Sequence, residues 1–503
     1  MDFENYYEIT RVADFIHTYN FSRVALQFPD KLLKDSSRVA SSLRKKIRHL
    51  LEDSNGTPEE SRGAAKLYVM ADTTYGSCCV DEVGAAHVKA DCVIHYGHTC
   101  LSPTTTIPAF CVFGKAPIMA SNCAESLCNY AAKCGKPVLV LFGLEYAHAM
   151  PDIKEALTVE AMKYRDSNSG FEIYYADVTN SIIIPSESLK MENRHLLLTD
   201  NQDNNEDFSG KTDIKFRING LRWSLPEGYS LSDYLLFWIG SDNSAFTNFI
   251  LTFHSCEIVR YDATEGYLKT DVSQQAKILK HRYFLVEKAK DANMVGILVG
   301  TLGVAGYLDM IHQMTELVTK AGKKAYTLVM GKPNPAKLAN FPECDVFIYV
   351  SCAQTALLDS KEFLAPIITP FEAMIAFNRG SEWTGAYVME FQDVIASHTV
   401  EVKKESEARF SFLQGGYVED FDLQEGNDDK DTVLSLVNVT EKALQLRNKD
   451  TQLFSRRDAK SGAEYFAARS FQGLEIHGSD SFPEPFLIGR RGKASGYEDE
   501  QNK

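Results

Sequence analysis

Short segments that are apolar throughout alternate along this chain with segments in which apolar residues recur every three or four positions. Arg23–Phe28 is an apolar run closed by Pro29 and Asp30, and Val39, Leu43, Ile47 and Leu50 then fall on one helical face. Leu67–Ala71, Cys92–Tyr96, Val138–Phe142, Met294–Val299, Tyr326–Met330 and Val346–Val350 read as further buried strands. Val80–Lys89 reads as a helix, as does the stretch from the Gly300 turn to about Lys320. Strands apolar on both faces, alternating with helices of about ten residues, predict parallel sheets covered on both sides.

Polar stretches punctuate this pattern. Glu52–Gly63, with Asn55-Gly56 and Pro58, predicts a surface insertion. Residues 196–213 run through Asp200, Asn201, Asp203, Asn204, Asn205, Glu206 and Asp207 and predict a solvated loop inside a second domain. After about Val402 the chain turns polar and acidic, with one amphipathic helix predicted over Thr432–Leu446. The expected organisation is a first α/β domain over 1–165, a second over 166–285, a third over 286–402 and a partly disordered extension over 403–503.

A short pattern recurs within this framework. Asp91-Cys-Val-Ile-His-Tyr-Gly97 leads to Cys100, Asp233-Tyr-Leu-Leu-Phe-Trp-Ile-Gly240 leads to Ser241, and Asp345-Val-Phe-Ile-Tyr-Val350 leads to Ser351 and Cys352. Each is an acid, a buried strand and a turn. The spacing is too long and irregular for a solenoid, and it fits three pseudo-repeated, Rossmann-like α/β domains. Any buried parallel strand shares some of this character. Ligands of open α/β sheets bind beyond the carboxyl ends of the strands, so three such turns can converge on one central site.

Composition narrows the function. The chain has 503 residues, 44% of them apolar, with 53 Lys plus Arg against 68 Asp plus Glu and a formal charge of −15. Nucleic acid and anionic membranes both favour basic surfaces, so neither is an expected partner. Met1–Tyr7 carries Asp2 and Glu4 and does not read as a secretory signal. The longest charge-free candidate span, around Ala292–Leu308, is broken by Gly296, Gly300, Gly303 and Gly306 and reads as strand, turn and helix.

The cysteines are unevenly spread: of 11, only Cys256, Cys344 and Cys352 lie beyond Cys134. Without an export signal, buried thiols, metal ligands or redox groups are more natural readings than a disulfide framework. Tyr75-Gly-Ser-Cys-Cys-Val-Asp-Glu82 sets two thiols between a strand and a helix start, where amides favour thiolate. Adjacent cysteines do not easily reach one metal, so one of Cys78 and Cys79 is expected to face the site and the other the core. His95-Tyr-Gly-His-Thr-Cys100 offers two imidazoles and a thiol. No C-x-x-C pair exists to make an ordinary zinc site. Cys123, Cys128 and Cys134 do not share one helical face and are expected to be structural. Gly300-Thr-Leu-Gly303-Val-Ala-Gly306 could cradle a phosphate or carboxylate at a helix start.

Leu26-Gln-Phe-Pro-Asp30, Asp72-Thr-Thr-Tyr-Gly-Ser-Cys-Cys-Val-Asp81, His95-Tyr-Gly-His-Thr-Cys100, Gly240-Ser-Asp-Asn-Ser244, Gly300-Thr-Leu-Gly303 and Ser351-Cys352 together resemble the diphthamide synthesis family, in its eukaryotic form. The resemblance runs from about Tyr6 to Ala396, with a looser echo near Ala467–Glu475. It implies three α/β domains around a 4Fe-4S cluster. It also implies the first step of diphthamide formation, transfer of the 3-amino-3-carboxypropyl group of S-adenosylmethionine to a histidine of translation elongation factor 2. The implied partners are diphthamide biosynthesis protein 1, as the other half of a heterodimer, and diphthamide biosynthesis protein 3, as electron donor, all in the cytoplasm.

In the homodimeric members of the family each domain supplies one cysteine, whereas here no cysteine stands between Cys134 and Cys256 and the middle turn carries Ser241. Carried over residue by residue, the resemblance implies Cys79, Cys100 and Cys352 as cluster ligands, with Cys78 competing for the place of Cys79. It implies an accessory subunit that relays electrons to its partner's cluster. A cluster-free scaffold is the structural alternative. Quinolinate synthase-like chemistry is a third reading, weakened by the missing middle cysteine.

Overall fold

The structure is a computed structural model. It describes residues 2–396 apart from 55–64, 72, 74, 165–170, 184, 186–213, 227–230, 271, 359–361, 379–380, 382 and 384–386, together with 409–411 and 415–418. All of these fall in one unit, Met1–Arg469, and a second unit, Ser470–Lys503, lies outside the description. The polar insertion 196–213, the helix expected over Thr432–Leu446 and nearly all of the extension 403–503 also lie outside the described residues.

Three larger sheets carry the fold. The first contains β1 (Arg23–Gln27), β2 (Lys66–Met70), β3 (Cys92–Tyr96), β4 (Ala109–Val112) and β8 (Ile182–Ile183), in the order β2-β1-β3-β4-β8. The second contains β5 (Val138–Phe142), β6 (Ile173–Tyr175), β11 (Leu235–Ile239), β12 (Glu257–Asp262) and β13 (Tyr267–Lys269), in the order β13-β12-β11-β5-β6. The third contains β14 (Met294–Val299), β15 (Lys324–Val329), β16 (Val346–Val350) and β17 (Ile367–Ile368), in the order β15-β14-β16-β17. Only β8 and β13 pair antiparallel in these sheets. A small antiparallel sheet joins β7 (Asp177–Val178), β9 (Ile214–Ile218) and β10 (Leu221–Leu225), and β18 (Arg409–Ser411) pairs with β19 (Gly416–Val418).

Counted in chain order within each sheet, the parallel strands follow the same sequence: second, first, third, fourth. The third strands are β3, β11 and β16, which are the three segments of the sequence pattern, and each is buried along its whole length. The acid that opens the pattern has a physical role in two of them. Asp91 Oδ2 accepts from the amides of Ser22 and Arg23 at 2.7 and 2.8 Å, closing the start of β1. Asp345 Oδ2 accepts from the amides of Asn293 and Met294 at 2.8 and 2.9 Å, closing the start of β14. An acid one residue before the third strand thereby satisfies the donors that enter the first strand.

Two strands lie in a different sheet from the one their position suggests. Val138–Phe142, expected inside the domain 1–165, pairs with β11 in the second sheet, and Ile182–Ile183, expected inside 166–285, pairs with β4 in the first. A boundary at residue 165 therefore cuts through elements of the second sheet. The reason is that a fully apolar strand such as Val-Leu-Val-Leu-Phe carries no mark of its neighbour, and its partner lies about a hundred residues away.

Helices cover the sheets. Ile9–Thr18 and Ser36–Ser54 bury Val12, Phe15, Ile16, Val39, Leu43 and Ile47 against one face of the first sheet. Val272–Lys290, Tyr307–Lys320 and Pro370–Phe377 pack on the third. A buried Arg282 guanidinium pairs with the Glu372 carboxylate, which also accepts from the Tyr387 hydroxyl at 3.0 Å, so the charges that join these helices are matched. Among the described residues no helix is long and apolar enough to cross a membrane.

Candidate metal centre

The turn that follows β2 carries Cys78 and Cys79, the turn after β3 carries Cys100, and the turn after β16 carries Cys352. All four side chains are buried, each no more than 5% exposed, and their sulfurs lie within 4.8 Å of one another. Cys78 and Cys352 approach to 3.4 Å across 274 residues of chain, and Cys100 reaches Cys79 at 3.8 Å. Among the described residues this is the one group of His, Cys, Asp and Glu side chains gathered closely enough to hold a metal ion.

The tandem pair departs from expectation, because both thiols face the group. Neighbouring side chains diverge in a strand or a helix, but Ser77–Cys79 is neither. The Cys79 amide donates back to Gly76 O at 3.2 Å, and the resulting tight turn aims both sulfurs the same way. The Cys78 carbonyl meanwhile accepts from the Cys100 amide at 3.0 Å, which joins the two loops of the first sheet directly.

Glu82 strengthens that join. Its carboxylate, 0% exposed, accepts from the amides of Thr105, Thr106 and Ile107 at 2.9, 2.7 and 3.0 Å. The helix that starts just after Cys79 is thus tied to the loop that follows Cys100. From the third sheet, Thr301 Oγ1 comes within 3.9 Å of the Cys79 sulfur and Thr355 Oγ1 within 3.2 Å of the Cys352 sulfur. The glycine-rich turn after β14 packs closely on the first sheet's loops while Thr301, Leu302 and Gly303 also line a cleft. A Cβ on Gly303 would stand 2.3 Å from the Val80 carbonyl oxygen, and the Ala305 amide donates to Pro103 O at 3.1 Å. Its glycine lets the third sheet approach the backbone of the tandem turn.

The thiols share protons unequally. Hydrogen bonds from Cys100 first, then from Cys78 and Cys79, hold the Cys352 thiol well below its ordinary value. Cys78 and Cys79 are pushed up, by hydrogen bonds with Cys100 first and with Cys352 next, and burial adds to them. Metal binding to such a group must release the remaining protons.

The remaining candidates go elsewhere. His95 is buried and its Nε2 donates to Ser77 O at 3.1 Å, while burial lowers its pKa to about 4. It is a neutral structural imidazole. His98 is exposed and lines a cavity of about 10 Å³ with Gly143, Asn243 and Gln354. Cys123 and Cys128 lie in the core around the second sheet, and burial raises both thiols. Ser241 is exposed, but the next helix reaches toward the third sheet, with Ser244 Oγ 3.5 Å from Gln354 Oε1. A cleft of about 230 Å³ opens beside Cys79, lined among others by Tyr75, Asp81, His87 and Thr301. Gln27 and Glu82 received no role from sequence. The available signal was a polar side chain at the end of an otherwise buried strand and an acid at a helix start.

Four converging, buried thiols are a soft donor set, suited to iron–sulfur clusters and zinc. A family model described as "Putative diphthamide synthesis protein" matches residues 28–388 of this chain. The chain is similar to proteins named "2-(3-amino-3-carboxypropyl)histidine synthase subunit 2". It is 35% identical to that of Gallus gallus, over 99% of this chain and 94% of the relative. To that of Danio rerio it is 34% identical, over 99% and 92%, and to that of Schizosaccharomyces pombe 32%, over 100% and 92%. Its fold is similar to the crystal structure of Dph2 from Pyrococcus horikoshii with a 4Fe-4S cluster, at 17% identity and a TM-score of 0.51, over 76% of this chain and 94% of that one.

Proposed function

The chain belongs to the diphthamide synthesis protein family, and from that premise we propose that it is the accessory, electron-relaying subunit of the heterodimer that begins diphthamide formation. In this reading the complex transfers the 3-amino-3-carboxypropyl group of S-adenosylmethionine to a histidine of translation elongation factor 2, in the cytoplasm. The catalytic half is diphthamide biosynthesis protein 1, and diphthamide biosynthesis protein 3 delivers electrons.

The carrying observation is the buried group of four thiols. Cys79, Cys100 and Cys352 are the proposed ligands of a 4Fe-4S cluster, with Cys78 close enough to replace or join them. A cluster bound there would accept and pass on single electrons. The chain's own part is to hold the thiols dry and to shield the site with the turns of the first and third sheets. We read the three sheets, with their shared strand order, as three related Rossmann-like units around this site. Their divisions near 165, 285 and 402 are adjusted so that β5 belongs to the second unit and β8 to the first.

The test is co-expression with the catalytic partner and single-turnover assays under limiting reductant. Cys100→Ala and Cys352→Ala chains are expected to pair normally and to slow turnover when reductant is scarce. Full turnover by the paired variants would overturn the relay.

The spacing itself favours a second reading. Four thiolates about 2.3 Å from one ion at tetrahedral corners stand about 3.8 Å apart, close to the 3.4 and 3.8 Å contacts here. A single zinc ion would give the chain a purely structural centre, and metal analysis of anaerobically purified chain separates the two.

A further inference from the structure

Gln27, at the end of β1, and His95, on β3, are register partners across the first sheet and are 3% and 1% exposed. Burying such polar side chains is costly unless their atoms find partners, and the partners lie in one place. Gln27 Nε2 donates to the Cys79 carbonyl at 2.9 Å, and its Oε1 accepts from the Asp81 amide at 2.9 Å. His95 Nε2 donates to the Ser77 carbonyl. With Cys100 N–H on the Cys78 carbonyl, every carbonyl from Ser77 to Cys79 is held from outside the turn.

The turn's own closure is one hydrogen bond, Cys79 N–H to Gly76 O, at 3.2 Å. A turn held that weakly can relax toward extended backbone, which would swing one of two adjacent thiols out of the group. We infer that Gln27 and His95 are positioning residues that lock the tandem turn in the form that brings Cys78 and Cys79 to one metal centre together. Their hydrogen bonds go to the backbone of Ser77, Cys79 and Asp81, so they act through the loop and not on the sulfurs. The inference rests on the thiol group being a metal centre.

His95 supplies a discriminating substitution. Its Nδ1 makes no hydrogen bond to the turn, so the one bond it contributes there is the Nε2 donation to Ser77 O. Glutamine can place an amide donor near the same point, and leucine cannot. Full-length chains are reconstituted anaerobically with iron and sulfide and then challenged with a chelator, following iron release and visible absorbance. The metal-free chains are melted in parallel. Gln27→Leu and His95→Leu are expected to release iron about 10–100-fold faster than the unaltered chain, and His95→Gln to restore most of the retention. Leucine chains that retain iron at the unaltered rate, or a His95→Gln chain as labile as His95→Leu, would overturn the assignment. If a leucine chain fails to fold, Gln27→Met decides: unbranched like glutamine, it has no donor for Cys79 O and no strong acceptor for Asp81 N–H and is expected to be labile, whereas full retention contradicts the inference. An unaltered chain that takes up no iron overturns the metal-centre reading itself, a result distinct from the others.

Discussion

After β3 and β16 the chain turns into buried thiols, Cys100 and Cys352, at 5% and 2% exposure, whereas after β11 it turns into exposed Ser241, whose carbonyl accepts from the Trp238 indole at 3.4 Å. The three strands occupy the same place in sheets of the same order. Two of the three turns carry buried thiols and the third an exposed serine. The tandem Cys78 and Cys79, in the other turn of the first sheet, complete the thiol group without the second sheet, so the group lies between the first and third sheets. The lesson is that a repeated topology supplies equivalent positions and leaves the chemistry at each position free to diverge.

That contrast can be broken most severely at the turns themselves. Cys100→Ala and Cys352→Ala are each expected to reduce bound metal to background, while Ser241→Ala leaves it unchanged. Metal analysis of the three purified chains checks this, and a loss with Ser241→Ala would restore the second sheet to the site. Next in size is Gly303→Ala, which forces a Cβ to within 2.3 Å of Val80 O and must separate the third sheet's turn from the tandem cysteines. It is expected to cost about 1–3 kcal/mol of stability. Gly114→Ala, where nothing lies within 4 Å of the added atom, is the matched control. Denaturant titration of the metal-free chains reads both.

The acids that open the pattern offer a smaller and symmetrical test. Asp91→Ala and Asp345→Ala each strip two strand-start amides of their acceptor and are expected to destabilise by similar amounts, about 1 kcal/mol. A large difference between them in the same titration would argue that the two sheets do not use the acid equivalently. Asp91 adds a pH signature. Hydrogen bonds from Ser22 and Arg23 outweigh burial and hold its carboxyl below the ordinary 3.8. Its contribution is therefore present above that value and lost as pH falls through the lower folded one. The Asp91→Ala chain should lose less stability than the unaltered chain on acidification through this range.

Much of this architecture could be read from the chain. The buried strands Cys92–Tyr96, Val138–Phe142, Met294–Val299 and Val346–Val350 form over the expected residues, because uninterrupted apolar runs are strong local signals. Cys78, Cys79, Cys100 and Cys352 stand at strand ends in the sequence, but the family resemblance and not their position singled them out among the 11 cysteines. Which sheet takes β5, and that both Cys78 and Cys79 face inward, were not legible. Both depend on partners that only the fold brings near: β11 for the strand, and Gln27, His95 and the Cys100 amide for the turn. The close packing of Gly303 on Val80 O was not legible either, since glycines that admit a ligand and glycines that admit a neighbouring backbone look alike in sequence.

The most direct test is the metal content of the full-length chain purified without oxygen, measured as iron, acid-labile sulfide and zinc, with electron paramagnetic resonance before and after reduction. A 4Fe-4S centre predicts about four irons and four sulfides per chain and a paramagnetic signal that appears on reduction. One zinc per chain, or thiols with no metal at all, would contradict it.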